Sequence, residues 1–161
     1  MDGEELRRRY AAGERNFAGV NLRDANISGS DPWNDNYRGA DLSGINLSGA
    51  DLSNSNLAGA DLTDADLSNA NLTRAILAQC NLTRTNLSGA NLTEAFLQAV
   101  ELIDTNMSGA DLRRAAITQT QLGTANFTGA KNISTVDFEG TIVSNLPLED
   151  GTVIEFCDHD W

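Results

Sequence analysis

The 161-residue chain has few of the residues on which catalytic and metal sites usually depend. It contains one histidine, His159, and two cysteines, Cys80 and Cys157. These counts exclude a disulfide framework, a four-cysteine zinc site and any site that needs several histidines. The abundant serines have no histidine in the repeat region that could act as their base. We therefore expect no catalytic residues, no metal site and no cofactor.

Basic residues are also scarce, because 11 Lys and Arg stand against 23 Asp and Glu, for a net charge of −12. A protein that follows nucleic-acid phosphates needs the opposite balance, so we expect no direct contact with nucleic acid. No apolar run of about 18 residues, the length that crosses a membrane, occurs. The N-terminus also lacks the basic and then apolar order of a secretory signal. These absences favour a cytoplasmic protein with no membrane partner.

What the chain has in abundance is a five-residue repeat. Large apolar residues recur at every fifth position from Phe17 to Phe127, and Pro32 is the only exception. A small residue lies two positions earlier, Asn or Asp usually separates the two, and Ser, Thr or Gly commonly follows. This period fits neither the roughly 3.6-residue period of a helix nor the two-residue period of a strand. Each unit is therefore predicted to be a short extended side followed by a corner, and successive sides close into a β-solenoid.

The outward position between the small and the large residue indicates how many sides the coil has. It is apolar at Ile76, Phe96 and Ala116, which are 20 residues apart. These residues lie directly above one another if four units form one coil. We therefore expect a four-sided coil, with adjacent coils about 4.8 Å apart and apolar side chains filling its axis.

The tandem units resemble those of the pentapeptide repeat family over residues 15–143. The match rests on units such as Ala40-Asp41-Leu42, Ala60-Asp61-Leu62, Ala90-Asn91-Leu92 and Ala110-Asp111-Leu112, and the density of such units is similar to that of cyanobacterial members. The resemblance implies an all-β fold, a right-handed quadrilateral β-helix, and it alone supplies the handedness. It also implies an alternative function, because some members mimic duplex DNA and bind a type II topoisomerase (gyrase).

A solenoid must cover its open ends, and the sequence predicts a cap at each one. Residues 1–14 are predicted to contain a capping helix, in which Leu6 and Tyr10 share a face and Gly13 ends the helix. Residues 144–161 are predicted to form a C-terminal cap and tail, with the Asp150-Gly151 turn of a small hairpin. The β-helix occupies residues 15–143, and its register slips by one near Lys131-Asn132.

One side of the predicted coil carries what we call the apolar strip. Contiguous apolar patches on soluble proteins are often contact sites, whereas single exposed apolar residues are ordinary. The strip is therefore our first candidate for a partner-binding surface. Sorting the sequence at a period of 20 residues places in it Ala58, Ile76, Ala78, Phe96, Ala99 and Ala116.

The stretch from residue 30 to residue 37 is the second candidate surface. It contains Pro32 and Trp33 and breaks the consensus without changing the frame of five. Proline cannot donate a ladder hydrogen bond, so this side is expected to bulge outward. The bulge is either a tolerated surface loop or a recognition loop, since irregular segments on rigid scaffolds often carry binding.

The charge distribution favours a protein-interaction scaffold over a DNA mimic. Residues 15–130 hold 12 acidic and 7 basic residues, whereas residues 131–161 hold 7 acidic residues and 1 basic residue. A duplex mimic needs its negative charge spread along the rod, and here much of it lies beyond the repeats. We therefore predict a non-catalytic scaffold that presents a rigid surface to an unidentified protein partner, as a monomer or a weak homodimer.

Overall fold

A long coil, with one helix before it and two strands after it, makes up the part of the chain that the computed structural model describes, residues 1–18, 20–22, 40–147 and 153–156. The helix α1 spans Gly3–Ala11, and the strands β1 and β2 span Val143–Pro147 and Val153–Phe156. A single 3-10 turn lies at Ile133–Thr135. In this part of the chain, no helix is both long enough and apolar enough to cross a membrane.

Parallel bridges between residues 20 positions apart hold the coil together. One ladder runs through Asp41, Asp61, Asn81, Glu101, Gln121 and Ile142, and others pass through Asn46, Asp51 and Asn56. Four ladders mean four sides, which agrees with the prediction of four units per coil. The ladder through Asn56 continues through Ile76, Phe96 and Ala116, so these three residues stack as their spacing predicts.

The typical corner is a β-turn that an outward Asn or Asp stabilises. In one such unit, the Ala95 N–H donates to the Leu92 carbonyl at 3.0 Å, and Glu94 between them has φ 56°. A positive φ at the third turn position explains why Gly and Asn are common there. The Asn91 Oδ1 accepts the Thr93 N–H at 3.0 Å, which is an Asx turn. The outward polar residue therefore has a structural role that the sequence analysis did not predict.

The axis of the coil is filled by stacked leucines and small residues. Leu72 and Leu92 are fully buried, as is Ala90 in the neighbouring column of small residues. Buried hydroxyls donate to backbone carbonyls, as the Thr105 Oγ1 does to the Leu82 carbonyl at 2.7 Å. Every buried side-chain nitrogen and oxygen among the described residues has a hydrogen-bond partner. The interior is therefore a packed core and not a channel.

The coil departs from its 20-residue spacing at two places. Asn16 pairs with Asn46, 30 residues further on, so the connection that contains Pro32 and Trp33 is ten residues longer than one coil needs. Pro32 and Trp33 themselves lie outside the described residues, and their predicted bulge stays a prediction. Near the other end, Ala116 pairs with Asp137, 21 residues away. This agrees with the predicted slip of one residue, which the 3-10 turn takes up.

The helix α1 packs against the first coil. The Asp2 carboxylate accepts the Glu5 N–H at 2.8 Å and so begins the helix, and Gly13 with φ 97° follows its end. Leu6 is fully buried in the core. The Tyr10 hydroxyl donates to the Ser43 carbonyl at 2.8 Å, which joins the helix to the coil.

The described chain ends in an antiparallel hairpin. Val143 of β1 pairs with Phe156 of β2, and Leu146 pairs with Ile154. The sequence predicts a hairpin at this place, although its turn residues Asp150 and Gly151 lie outside the described residues, as does the tail from residue 157 to residue 161.

Candidate docking surface

Backbone hydrogen bonds to the coil before and to the coil after hold each segment of the apolar strip, which we call a rung, in place. The Phe96 N–H donates to the Ala75 carbonyl at 3.0 Å, and the Phe96 carbonyl accepts the Leu77 N–H at 2.8 Å. The Ala116 carbonyl in turn accepts the Leu97 N–H at 2.7 Å. The side chains of the strip are thus held at intervals of about 4.8 Å, the spacing of hydrogen-bonded strands.

The centre of the strip is an open groove of about 340 Å³. Phe96 is 52% exposed and Ile76 is 38% exposed, so two large apolar side chains in adjacent coils are both in contact with solvent. The residues that line the groove include Ile76, Ala78, Phe96, Gln98, Ala116 and Thr118. None of these residues titrates, so the groove offers an apolar contact surface and no acid or base.

The structure brings most of the predicted strip together and adds two polar residues. Ala58 lies one coil away in the same column as Ala78, outside the groove. Ala99 lies exposed at the following corner, with φ 52°. Gln98 and Thr118 line the groove although the sequence analysis did not name them. They continue the 20-residue column of Ala58 and Ala78, and that spacing was the signal available for them.

In three successive coils, the strip lacks the hydrogen bond from the backbone N–H of the corner to an outward Asn or Asp oxygen. In the coil before it, the Asn56 Oδ1 accepts the Ala58 N–H at 3.0 Å, and in the coil after it, the Asp137 Oδ1 accepts the Glu139 N–H at 3.0 Å. The side chains of Ile76, Phe96 and Ala116 contain no oxygen that could accept such a bond. A hydrogen bond of this kind contributes about 1 kcal/mol. A local rule that is broken in favour of exposed apolar side chains is typical of functional sites.

Three arginines, which we call the basic margin, lie on one side of the strip. They are Arg74, Arg113 and Arg114, at corners that precede the strip side, and Glu94 occupies the equivalent corner of the coil between them. The Arg74 Nε lies 2.7 Å from the Glu94 Oε2. The hydrogen bond from Arg74, with a smaller contribution from the charge of Arg114, holds the pKa of the Glu94 carboxyl below its usual value. The strip side itself has no charged residue at 56–59, 76–79, 96–99 or 116–119.

The reactive groups that the structure describes have structural roles. Burial raises the pKa of the Cys80 thiol to about 12, and its Sγ lies 3.0 Å from the Leu57 carbonyl oxygen. Since the thiolate is the nucleophile, this cysteine is inert near neutral pH. Serine hydroxyls such as that of Ser48 donate to the neighbouring Asx oxygen, here the Asn46 Oδ1 at 2.8 Å. Within the described ranges, no group of His, Cys, Asp and Glu side chains could hold a metal ion.

Comparisons with known proteins identify the repeat. A model of the family described as pentapeptide repeats matches at residues 40–79, 65–102, 80–119 and 105–145, with eight copies. The comparison with curated proteins gave no match.

Solved structures of repeat proteins are similar to the chain. The pentapeptide repeat protein Rfr23 from the cyanobacterium Cyanothece 51142 is 30% identical, with 78% of this chain and 88% of that chain covered and a TM-score of 0.49. A pentapeptide repeat protein from the Arabidopsis thaliana thylakoid lumen is 27% identical, with coverage of 68% and 69% and a TM-score of 0.48. QnrB1, a plasmid-mediated fluoroquinolone resistance protein, is 19% identical, with coverage of 81% and 83% and a TM-score of 0.26.

Proposed function

The chain belongs to the pentapeptide repeat family, and we propose that it is a non-catalytic scaffold whose apolar strip binds a protein partner. Pentapeptide repeat proteins fold as right-handed quadrilateral β-helices and are generally structural or interaction proteins. The observation that carries the proposal is the stack of Ile76, Phe96 and Ala116, which places apolar side chains, exposed at Ile76 and Phe96, where the repeat usually has Asn or Asp.

The rigidity of the strip supports a role in binding. Its rungs are hydrogen-bonded to the coil before and the coil after. The Ile76 N–H donates to the Ser55 carbonyl at 2.9 Å, and the Leu77 N–H donates to the Phe96 carbonyl at 2.8 Å. A partner that docks there does not have to order the backbone of the strip, and ordering is a large part of the free-energy cost of association. The groove at Phe96 supplies the apolar centre that interface anchors usually occupy.

The surface charge supports a protein partner over a mimic of DNA, the alternative that the family resemblance implies. A duplex mimic would present carboxylates along the rod. The strip side instead is uncharged over four coils, and the corners before it carry three arginines, Arg74, Arg113 and Arg114, and one carboxylate, Glu94. An assay of DNA supercoiling by gyrase, with and without the protein, distinguishes the two functions.

The compartment and the oligomeric state form part of the proposal. We infer a cytoplasmic protein, because the free and buried thiol of Cys80 suits a reducing compartment. We infer a monomer or weak homodimer, because the exposed apolar residues of the strip span only three coils, a short surface for a stable dimer.

Two aspartates in the strip test the proposed function. We expect the variant I76D/F96D, used as bait in an extract of the source organism, to retain its partner at least about tenfold less than the wild type, because anchors buried at an interface contribute about 2 kcal/mol or more each. The fold should persist, because an aspartate at these positions can accept hydrogen bonds from the backbone N–H groups of Ala78 and Gln98. Asn56 accepts the same bond from the backbone N–H of Ala58.

The matched control is N106D/N126D, which adds two carboxylates in adjacent coils on another side. Asn86 keeps its hydrogen bond to the Asp66 Oδ1 at 3.3 Å, so this variant should fold and should capture the partner as the wild type does. Quantitative mass spectrometry of the captured proteins measures both. Equal capture by the wild type and by I76D/F96D would show that the strip is not the docking surface.

A further inference from the structure

The side of the coil that carries the strip ends in an open strand edge. Its last segment, residues 136–140, has the regular corner geometry, because the Thr141 N–H donates to the Phe138 carbonyl at 3.0 Å and the Glu139 N–H donates to the Asp137 Oδ1 at 3.0 Å. We call the edge of this segment that faces away from the coil before it the terminal edge. We infer that an extended, basic segment of a partner protein adds to the terminal edge as a further strand. This surface is separate from the apolar strip, and the inference does not depend on the proposed function.

The coil before it shows which backbone groups of this side pair with a following strand. The Ala115 carbonyl accepts the Asp137 N–H at 3.0 Å, and the Ile117 N–H donates to the Asp137 carbonyl at 2.8 Å. At the corner, the Gln119 N–H donates to the Glu139 carbonyl at 3.0 Å. A following strand therefore accepts hydrogen bonds from two N–H groups of this side and donates one to a carbonyl.

The equivalent groups of the terminal edge have no partner among the described residues. They are the Val136 carbonyl and the N–H groups of Phe138 and Gly140. Glu139 and Gly140 are exposed, and Val136 and Phe138 are partly exposed, so a ligand can reach this edge. Unpaired donors and acceptors along a strand are a template for another chain, which adds through main-chain hydrogen bonds.

Within the described ranges, the other three sides of the last coil do not offer such an edge. On the next side, the Ile142 N–H and carbonyl are bonded to the coil before, and the neighbouring Val143 pairs with Phe156, so β2 already occupies that edge. The 3-10 turn at Ile133–Thr135 interrupts the edge of the preceding side. On the fourth side, Phe127 is only 3% exposed, so a ligand has no access to its backbone.

The side chains of the last segment define the strand that fits beside it. Val136 and Phe138 pack against the core, whereas Asp137 and Glu139 are exposed. An added strand therefore needs apolar side chains next to Val136 and Phe138. It needs basic side chains next to the two carboxylates, because opposite charges on adjacent strands attract each other.

The charge around the terminal edge favours a basic ligand. Asp137 and Glu139 form no salt bridge with a described Lys or Arg. Arg114 lies at a corner of the coil before, and Lys131 lies on the preceding side. Residues 131–161 hold 7 acidic residues and 1 basic residue. A basic segment is thus attracted by the carboxylates that it touches and by the net charge of this end of the chain.

A second copy of the chain does not fit on this edge. The strand β2 lies beyond the last coil on one side only, and adjacent strands are about 4.8 Å apart. The end of another coil would rest on β2, about 10 Å from the last coil, whereas pairing at the terminal edge requires about 4.8 Å. A single extended segment of a different protein can lie beside β2 at the required distance.

Amide hydrogen exchange on the full chain tests whether the terminal edge is open. We expect the Phe138 and Gly140 amides to exchange at least about 100-fold faster than those of Ile117 and Gln119, which hold the same positions one coil earlier and are hydrogen-bonded. The difference should not depend on protein concentration. Protection of the Phe138 and Gly140 amides in the free protein would overturn the inference, because another part of the chain or a second copy would then pair with the edge.

Peptides selected from a display library of random twelve-residue sequences on the immobilised full chain test the ligand. We expect them to alternate apolar residues with Lys or Arg and to slow the exchange of the Phe138 and Gly140 amides. Methylation of the peptide nitrogen that donates to the Val136 carbonyl should weaken binding at least about tenfold. The same change at the residues on either side of it should have little effect, since successive N–H groups of a strand point in opposite directions.

The variant D137N/E139Q tests the charge preference. It keeps an oxygen at residue 137 that can accept the N–H of residue 139, and it should bind the selected peptides at least about fivefold more weakly than the wild type. The control D61N/D66N makes the same change in net charge on two other sides of the coil, where Asn also keeps the Oδ1 acceptor. This control should bind the peptides as the wild type does.

Three results of the peptide experiments would overturn the inference. They are selected peptides without a basic preference, undiminished binding by D137N/E139Q, and a selection in which no peptide slows the exchange of the edge amides. Each of them leaves the proposed function standing, because I76D/F96D tests that function on a different surface.

Discussion

Replacement of Ala90 by aspartate is expected to lower the free energy of unfolding by about 4 kcal/mol near pH 7, because it places a carboxylate without a partner inside the rod. Ala90 is fully buried, and it lies between Ala70 and Ala110 in a column of small residues. The side chain cannot reach solvent without breaking the rungs that fix this column. Denaturation with guanidinium chloride measures the loss.

The loss should depend on pH in a defined direction. Burial raises the pKa of a carboxyl group above its value in the unfolded chain, which is about 4. The folded variant therefore binds a proton more readily than the unfolded one, and the difference in stability from the wild type should shrink as the pH falls from about 7 to about 5. A difference that grows on acidification would contradict the burial of this position.

The neighbouring substitution Asn91→Asp is the matched control. Residue 91 points outward, and its ladder already holds Asp51 and Asp111. We expect a change of less than about 0.5 kcal/mol, as is usual for surface substitutions. Equal losses for Ala90→Asp and Asn91→Asp would refute the alternation of inward and outward residues in each unit.

Truncation of Leu92 to alanine is expected to cost about 3 kcal/mol, since it leaves a cavity in the middle of the axis. Leu92 is fully buried, and the coil cannot close around the gap because its N–H is bonded to the Asp111 carbonyl at 2.8 Å. Ile103→Ala removes the same number of carbon atoms at a site that is 55% exposed and should cost less than about 0.5 kcal/mol. Similar costs for the two changes, measured by urea denaturation, would contradict the packed axis.

The sequence predicts the coil because both of its periods can be read directly: apolar residues recur every five residues, which gives one side, and every 20 residues, which gives one coil. The apolar residues Ile76, Phe96 and Ala116 were enough to indicate the period of 20, and the ladders agree with it. The extra length of the connection between Asn16 and Asn46 does not change the five-residue spacing of the sequence. Ten extra residues are two whole units, so the frame of five continues and only the pairing of Asn16 with Asn46 reveals the insertion.

The role of Asn and Asp could not be predicted from their outward position alone. An outward polar residue is explained by solvent contact, and the direction of the amide two residues later depends on the geometry of the corner. In the folded corner, the Thr93 N–H donates to the Asn91 Oδ1 at 3.0 Å. Phe96 therefore departs from the repeat in two ways: its side chain is apolar, and it cannot accept the hydrogen bond that stabilises the corner in other units.

The residues around the strip could be predicted from the sequence only in part. Its apolar members follow from the period, but the basic margin requires knowledge of which corner borders which side. Arg74, Glu94 and Arg114 are spaced by 20 residues, and that spacing was the available signal. The net charge of −12 is a sum over the whole chain and gives no sign of the arginines at two of these corners.

A photo-crosslinking phenylalanine analogue incorporated at Phe96 tests the central claim most directly, with the same analogue at Ile103 as the comparison. Both sites expose a large apolar side chain, at 52% and 55%, but Ile103 lies outside the strip. Irradiation in cells of the source organism should give a defined heavier adduct from position 96 and none from position 103. The docking surface would lie elsewhere if position 96 gave no adduct, or if both positions gave the same one.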